Sequence, residues 1–139
     1  MGFTDYADAV RAFFNTHMSA NAPNVSVAWE NVDNPSIPPT VGAGNEWVRF
    51  TLRGSTNFDI SPGWRNNFGV VIVQCFTDLD IGPGACEDVA EIVASGFRQQ
   101  RFLSGAGDFS TPRLDPIGPD GEGWYQCNVT IPFFHQEAA

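Results

Sequence analysis

The stretch "EWVRFTLRGSTNFDISPGWRNNFGVVIVQCF", residues 46–76, decides the architecture. Its first part, "EWVRFTLRG" (46–54), has strand character, with Trp47, Phe50 and Leu52 supplying bulk, and its last part, "FGVVIVQCF" (68–76), is an apolar run of strand length. Between them lies "STNFDISPGWRNN" (55–67), polar but carrying Phe58, Ile60 and Trp64. Two strands joined in this way predict a long hairpin whose tip projects beyond the body. Apolar side chains on a projecting tip are costly in water, so they either fold back over the sheet edge or meet another molecule. Phe58, Ile60, Trp64 and the adjacent Arg65 are therefore candidate contact residues.

Upstream, Val25, Val27 and Trp29 alternate with polar or small neighbours, the period of a strand with one buried face. The continuation "VAWENVDNPSIPP" (27–39) breaks that pattern, because Pro35, Pro38 and Pro39 cannot donate to a ladder. A long loop through "VGAGNE" follows, and loops beyond ~12 residues in compact domains tend to be binding loops. Asn31, Pro35, Pro38 and Pro39 join the candidate contact residues on that ground. Before the strand, "TDYADAVRAFFNTHM" (4–18) reads as a helix with Thr4 as N-cap and Tyr6, Val10, Phe13, Phe14 and Met18 on one stripe. His17 falls in its last turn, as a helix-end cation or a surface residue.

Downstream, "DLDIGPGACEDVAEIVASGFRQQ" (78–100) turns into a second helix with Cys86, Val89, Ile92, Val93 and Phe97 on one side and Glu87 and Asp88 in its first turn. Phe102 and Leu103 suggest a short strand, "SGAGDFS" (104–110) a turn, and "STPRLDPIG" (110–118) an edge strand limited by its prolines. After the turn "GPDGEG", the run "WYQCNVTIPFF" (124–134) predicts a long strand. One face carries Tyr125, Cys127, Val129 and Ile131; the mixed face, with Trp124, Gln126, Asn128 and Thr130, is exposed or shared with a neighbour. The expected fold is α+β: one domain over residues 1–139, a single antiparallel-rich β-sheet with two helices packed on one face, and long projecting loops.

Sixteen acidic residues face seven basic ones, all arginine, for a net charge of −9. That balance opposes tight binding to nucleic-acid phosphates. No phosphate loop, no paired-histidine motif and no metal-like spacing of Cys75, Cys86 and Cys127 occurs, and Cys75 and Cys127, in strand-like runs, read as small buried hydrophobes rather than a disulfide. Glu30, Arg49, Arg53 and Asp78 are polar but scattered, without a spacing that demands a pocket. The sequence therefore predicts no catalytic residues, no cofactor and no metal site. No apolar run approaches the ~20 residues of a membrane-spanning helix.

The order of landmarks resembles the small tail terminator (tail completion) proteins of long-tailed bacteriophages and phage-like particles. Trp29, Asn31 and Pro39, then Trp47, Val48 and Arg49, then Gly82, Gly84 and Ala90, then Trp124, Tyr125, Ile131, Pro132 and Phe133 stand where that family has its short motifs. The likeness runs over nearly the whole chain, with "STNFDISPGWRNN" as a departure. It implies a virion protein of the tail and neck, made in the host cytoplasm and forming a homohexameric ring at the head-proximal end of the tail tube. Its partners would be other copies of itself, the tail tube protein and a head-side connector or stopper, with DNA passing through the lumen without sequence-specific contact and no membrane involved. The alternatives are another neck protein (head-completion or stopper) or a small ligand-binding α+β domain.

Overall fold

Strand alternation in residues 46–76 organises the whole molecule, because every other side chain of these strands faces a helical layer. The computed structural model describes residues 3–30, 45–61, 63–79, 82–99, 102–103 and 107–138. In chain order the elements are α1 (Phe3–Asn21), β1 (Ser26–Ala28), β2 (Trp47–Ser61), β3 (Trp64–Asp78), α2 (Pro83–Gln99), β4 (Phe102–Leu103), β5 (Gly107–Phe109), β6 (Arg113–Pro119) and β7 (Trp124–Ala138). The strands form one sheet in the order β1-β2-β3-β7-β5-β4, and β6 pairs with β7 beside β5. All pairs are antiparallel except β1 with β2. The fold is α+β, with both helices on one face, as the sequence predicts.

The centre is a three-stranded ladder. β3 pairs with β2 from Trp47↔Phe76 to Ser61↔Trp64, and with β7 from Asp78↔Trp124 to Trp64↔Ala138. The connection 55–67 is a correction to the expected polar link between two strands: Thr56–Asp59, Ser61 and Trp64–Asn67 stay in the ladder, with register shifts at Gly54/Thr56 and Asp59/Ser61. Ladder pairing satisfies backbone groups whatever the side chains are, so a polar sequence continues as strand when a partner strand is present. Gly63, next to the last ladder pair, has a φ of 89°, a left-handed conformation that favours glycine.

Val48, Phe50 and Leu52 of β2, Val71, Val73 and Cys75 of β3, and Cys127, Val129, Ile131 and Phe133 of β7 form the inward face. Against them pack Tyr6, Val10, Phe14 and Met18 of α1 and Cys86, Val89, Val93 and Phe97 of α2. Phe14 is the hub of this layer, with ring centroids 4.9 Å from Phe50, 5.9 Å from Trp29 and 6.3 Å from Phe97. The helices also meet each other. His17 Nε2 donates to the Ile92 carbonyl at 2.7 Å and Asn21 Nδ2 lies 3.2 Å from its Nδ1, so His17 ties α1 to α2 rather than standing at the surface. Gly96 permits that approach, since a Cβ there would lie 2.7 Å from the His17 ring.

Three further expectations shift. α2 begins at Pro83, a residue suited to the first helical position, so Glu87 lies beyond the first turn. Gly107–Phe109, within the expected turn 104–110, is a strand because β7 offers Phe133, Phe134 and His135 as partners. Trp124 is buried within this chain, although the mixed face of β7 is expected to be exposed or shared with a neighbour.

The three cysteines are free and buried, close beneath the start of α2. Cys86 Sγ donates to the carbonyls of Cys75 at 3.2 Å and Tyr125 at 3.4 Å. Burial, reinforced by Cys127, pushes the Cys86 thiol from its ordinary 9.0 up to about 12. Burial likewise raises Cys75 and Cys127. A thiol harder to ionise folded than unfolded favours the folded state while protonated. Its contribution is complete below pH 9 and is lost as pH rises toward 12. The expected result is that a thiol-specific colorimetric reagent finds no reactive cysteine in native protein at pH 8 and three after denaturation, and that denaturation midpoints fall from about pH 9 upward.

Gly69 is fixed by its neighbours rather than by its torsions. A Cβ there would stand 2.3 Å from the Arg53 carbonyl oxygen, 2.9 Å from Gly54 Cα and 2.6 Å from the Phe133 ring. Two of these are backbone atoms beside the register shift, so they cannot yield cheaply. Gly69→Ala should lower unfolding free energy by roughly 3 kcal/mol, at the upper end for overpacked sites, as measured by urea denaturation.

Candidate interaction surface

The outward face of the β2-β3-β7 ladder has no helix against it among the described residues. Alternation places Trp47, Arg49, Thr51 and Arg53 of β2 there, with Phe68, Val70, Ile72, Gln74 and Phe76 of β3 and the even-numbered residues 124–134 of β7. An antiparallel sheet open on one side ordinarily shows a polar outer face. This one is apolar through Val70, Ile72 and Pro132, and Phe68 and Phe134 are each 38% exposed with ring centroids 6.4 Å apart.

At the end nearest the β6–β7 turn, three aromatics close on one another. Trp47 and Phe76 stack with centroids 4.2 Å apart, and Trp124 meets Trp47 edge-on at 6.3 Å. The Arg49 guanidinium lies over both rings, 5.3 Å from Trp47 and 5.7 Å from Phe76, and donates to Gln74 Oε1 at 3.2 Å. The turn 119–123 folds beside them. Asp120 Oδ1 accepts from the backbone amides of Glu122 at 2.8 Å and Trp124 at 3.1 Å, and Leu79 N donates to the Gly123 carbonyl at 3.3 Å. The result is an open cleft of about 340 Å³ lined by Trp47, Arg49, Gln74, Phe76, Asp120, Glu122 and Gln126. Trp47 Nε1 is buried without an acceptor among the described residues.

The opposite end of the ladder outreaches the helices. A 15-residue strand extends about 50 Å, against about 28 Å for the 19-residue α1. Near the N-terminal end of α1, Tyr6 stacks on buried His135 at 4.5 Å, with Asn67 Nδ2 3.4 Å from His135 Nδ1. Beyond that level β2, β3 and β7 continue together as a tongue. Trp64, half exposed at 50%, stands on it, as does the partly buried Arg65. Phe58 and Ile60 belong to the β2 part of the tongue, with Phe58 opposite Asn66, but their side chains lie outside the described residues. So do Asn31, Pro35, Pro38 and Pro39 in the segment 31–44.

β1 and β2 are parallel, Ser26↔Trp47 and Ala28↔Arg49, so they are joined by a crossover and not by a hairpin. Just before it, Glu30 Oε1 accepts from Leu52 N at 3.0 Å, and Arg11 lies 3.5 Å from the same oxygen. Glu30 thus occupies a place on the β2 edge where a further strand's carbonyl would bind. The four scattered polar residues of the sequence do not converge. Glu30 serves the edge, Arg49 the cleft, Asp78 pairs with Trp124 at the ladder's end, and Arg53 is exposed toward the tongue. The cleft was not foreseen, because Trp47, Phe76 and Trp124 come from three distant segments.

No family model matches this chain, and no curated protein matches it in sequence. Among solved structures, a protein described without a function superposes with a TM-score of 0.62 at 18% identity, covering 96% of this chain and 95% of its own. A chain from a structure described as the virion of a native gene transfer agent particle superposes with a TM-score of 0.57 at 14% identity, covering 96% and 97%. The similarity is one of fold over nearly the full length of each chain.

The Glu30 contact is directly testable. Glu30→Ala should speed hydrogen exchange at the Leu52 amide selectively and lower stability by about 1 kcal/mol, as expected when a partly buried donor loses its acceptor.

Proposed function

We propose that this chain is a structural protein of a phage-like tail, a tail terminator that forms a hexameric ring at the head-proximal end of the tail tube. The observation that carries the proposal is the outer sheet face: apolar through Phe68, Val70, Ile72, Pro132 and Phe134, without helical cover among the described residues, and prolonged by the long β2–β3 hairpin and β7. Such a surface suits assembly with other protein copies. The fold shared with a chain of a gene transfer agent virion supports a virion setting, and the landmark order in the sequence supports the terminator role within it.

In this reading the ring ends tube polymerisation and presents a surface to the head-side connector or stopper. Its chemistry is that of contacts, without catalysis, cofactor or metal. Copies at −9 each surround the bore with negative charge, which lets DNA pass without adhering.

Native mass measurement on tails, or on concentrated protein, should give a species of six times the 15.1 kDa chain. Particles made without the protein should carry overlong tails in electron micrographs. A strict monomer absent from purified particles would overturn the proposal.

A further inference from the structure

We infer that the self-assembly read above, on which this inference rests, sets a patch on the outer sheet face of one copy over the groove between α2 and β6 of the next, with Arg53 paired to Glu87 and Asp88. The patch is a continuous set of ladder neighbours. Phe68 pairs with Phe134, and Val70 with both Pro132 and Arg53. Phe68 and Phe134 are each 38% exposed, and Arg53 and Pro132 are exposed beside them. It is an apolar surface with one cation at its rim.

The groove is the inverse of that patch. It is open, with a volume of about 370 Å³, and buried Ala90 and Cys127 form its floor. Exposed Pro116 and partly exposed Leu114 give one wall an apolar surface, and Ile117, next in the chain, is 54% exposed. Exposed Glu87 and Asp88 stand on the α2 side, while the third carboxylate there, Glu91, is engaged by Arg98. A ring laid over Leu114 and Pro116 therefore meets solvent-facing side chains and leaves the core closed.

Charge selects the occupant. From the level of Phe68 to that of Phe76 the outward positions of β2, β3 and β7 hold two arginines, Arg49 and Arg53, and no carboxylate, in a chain with a net charge of −9. Arg49 is stacked over Trp47 and Phe76, and Arg11, Arg98 and Arg113 are paired with carboxylates of their own chain. Arg53 has no carboxylate, and Glu87 and Asp88 have no cation, among the described residues. The chain thus carries both halves of one complementary contact.

The two halves cannot meet within one chain. Leu114 and Pro116 pair with Val129 and Cys127 on the helix-facing side of the sheet, and the patch lies on the other side. Joining two outer faces by a two-fold axis would set arginines against arginines with no carboxylate between them. Each copy instead offers its patch to one neighbour and its groove to another, a heterologous contact that closes as a ring when the rotation per step permits.

A benzophenone amino acid in place of Phe134, activated in concentrated full-length protein mixed from isotopically light and heavy chains, should link light chains to heavy peptides containing residues 87–91 or 114–117. Arg53→Glu should weaken association about tenfold in sedimentation experiments while leaving the thermal transition in place, and adding Asp88→Arg to that variant should restore it. Sixfold species whose links return to the outer face, or that ignore Arg53→Glu, would overturn the docking and leave the ring standing. Links to the groove in a species of another size would keep the docking and overturn the ring. A wild-type chain that never associates would overturn both.

Discussion

Everything in this molecule hangs on β3 being hydrogen-bonded on both sides over most of its length. Pairing with β2 from Trp64 to Phe76 and with β7 from Trp64 to Asp78 ties three long strands together. Because side chains alternate, their register also sorts residues between the two faces, and a slip of one position would exchange them. Val71, Val73 and Cys75 reach the helices only because Ile72, Gln74 and Phe76 are turned away. The core and the outer surface are two results of the same ladder.

The helices complete only part of what the ladder starts. Phe14, Phe50 and Phe97 make a dense inner layer, and toward the hairpin turn the described contacts of α1 with the ladder run to Tyr6 on His135. The tongue beyond it has strand pairing without a helical layer, and the outer face has apolar side chains without one. These are features expected of a protein whose burial is finished by association rather than by its own fold. The cleft at the other end is built differently, from rings packed under a turn that Asp120 holds by two backbone amides.

The parts legible in the sequence were those governed by local periodicity: both helices, the apolar half of the hairpin, and the last long strand. Residues 55–61 were illegible as strand because polar side chains carry no period, and their pairing is imposed by β3. The parallel course of β1, the bond from His17 to Ile92, and the strand at Gly107–Phe109 depend on partners far along the chain. Trp47, Phe76 and Trp124 were each visible as bulky residues, yet only the three-stranded register reveals that they touch. Trp64 and Arg65 do lie on the projecting end that the hairpin predicted, while the proline-rich candidates fall outside the described residues.

The position of β7 has a consequence for how the chain acquires this shape. β2 and β3 are neighbours in sequence and can zip from their turn, whereas β7 follows every other strand and yet takes an interior place, pairing residues as distant as Trp64 and Ala138. Non-local pairing of this kind is slow. Until the segment 124–138 has been synthesised and seated, one edge of β3 is bare, and bare edges recruit strands from other chains. The chain thus passes, during its own synthesis, through a stage in which premature association with another chain is the main hazard. The acidic charge of the chain offers a general repulsion during that interval.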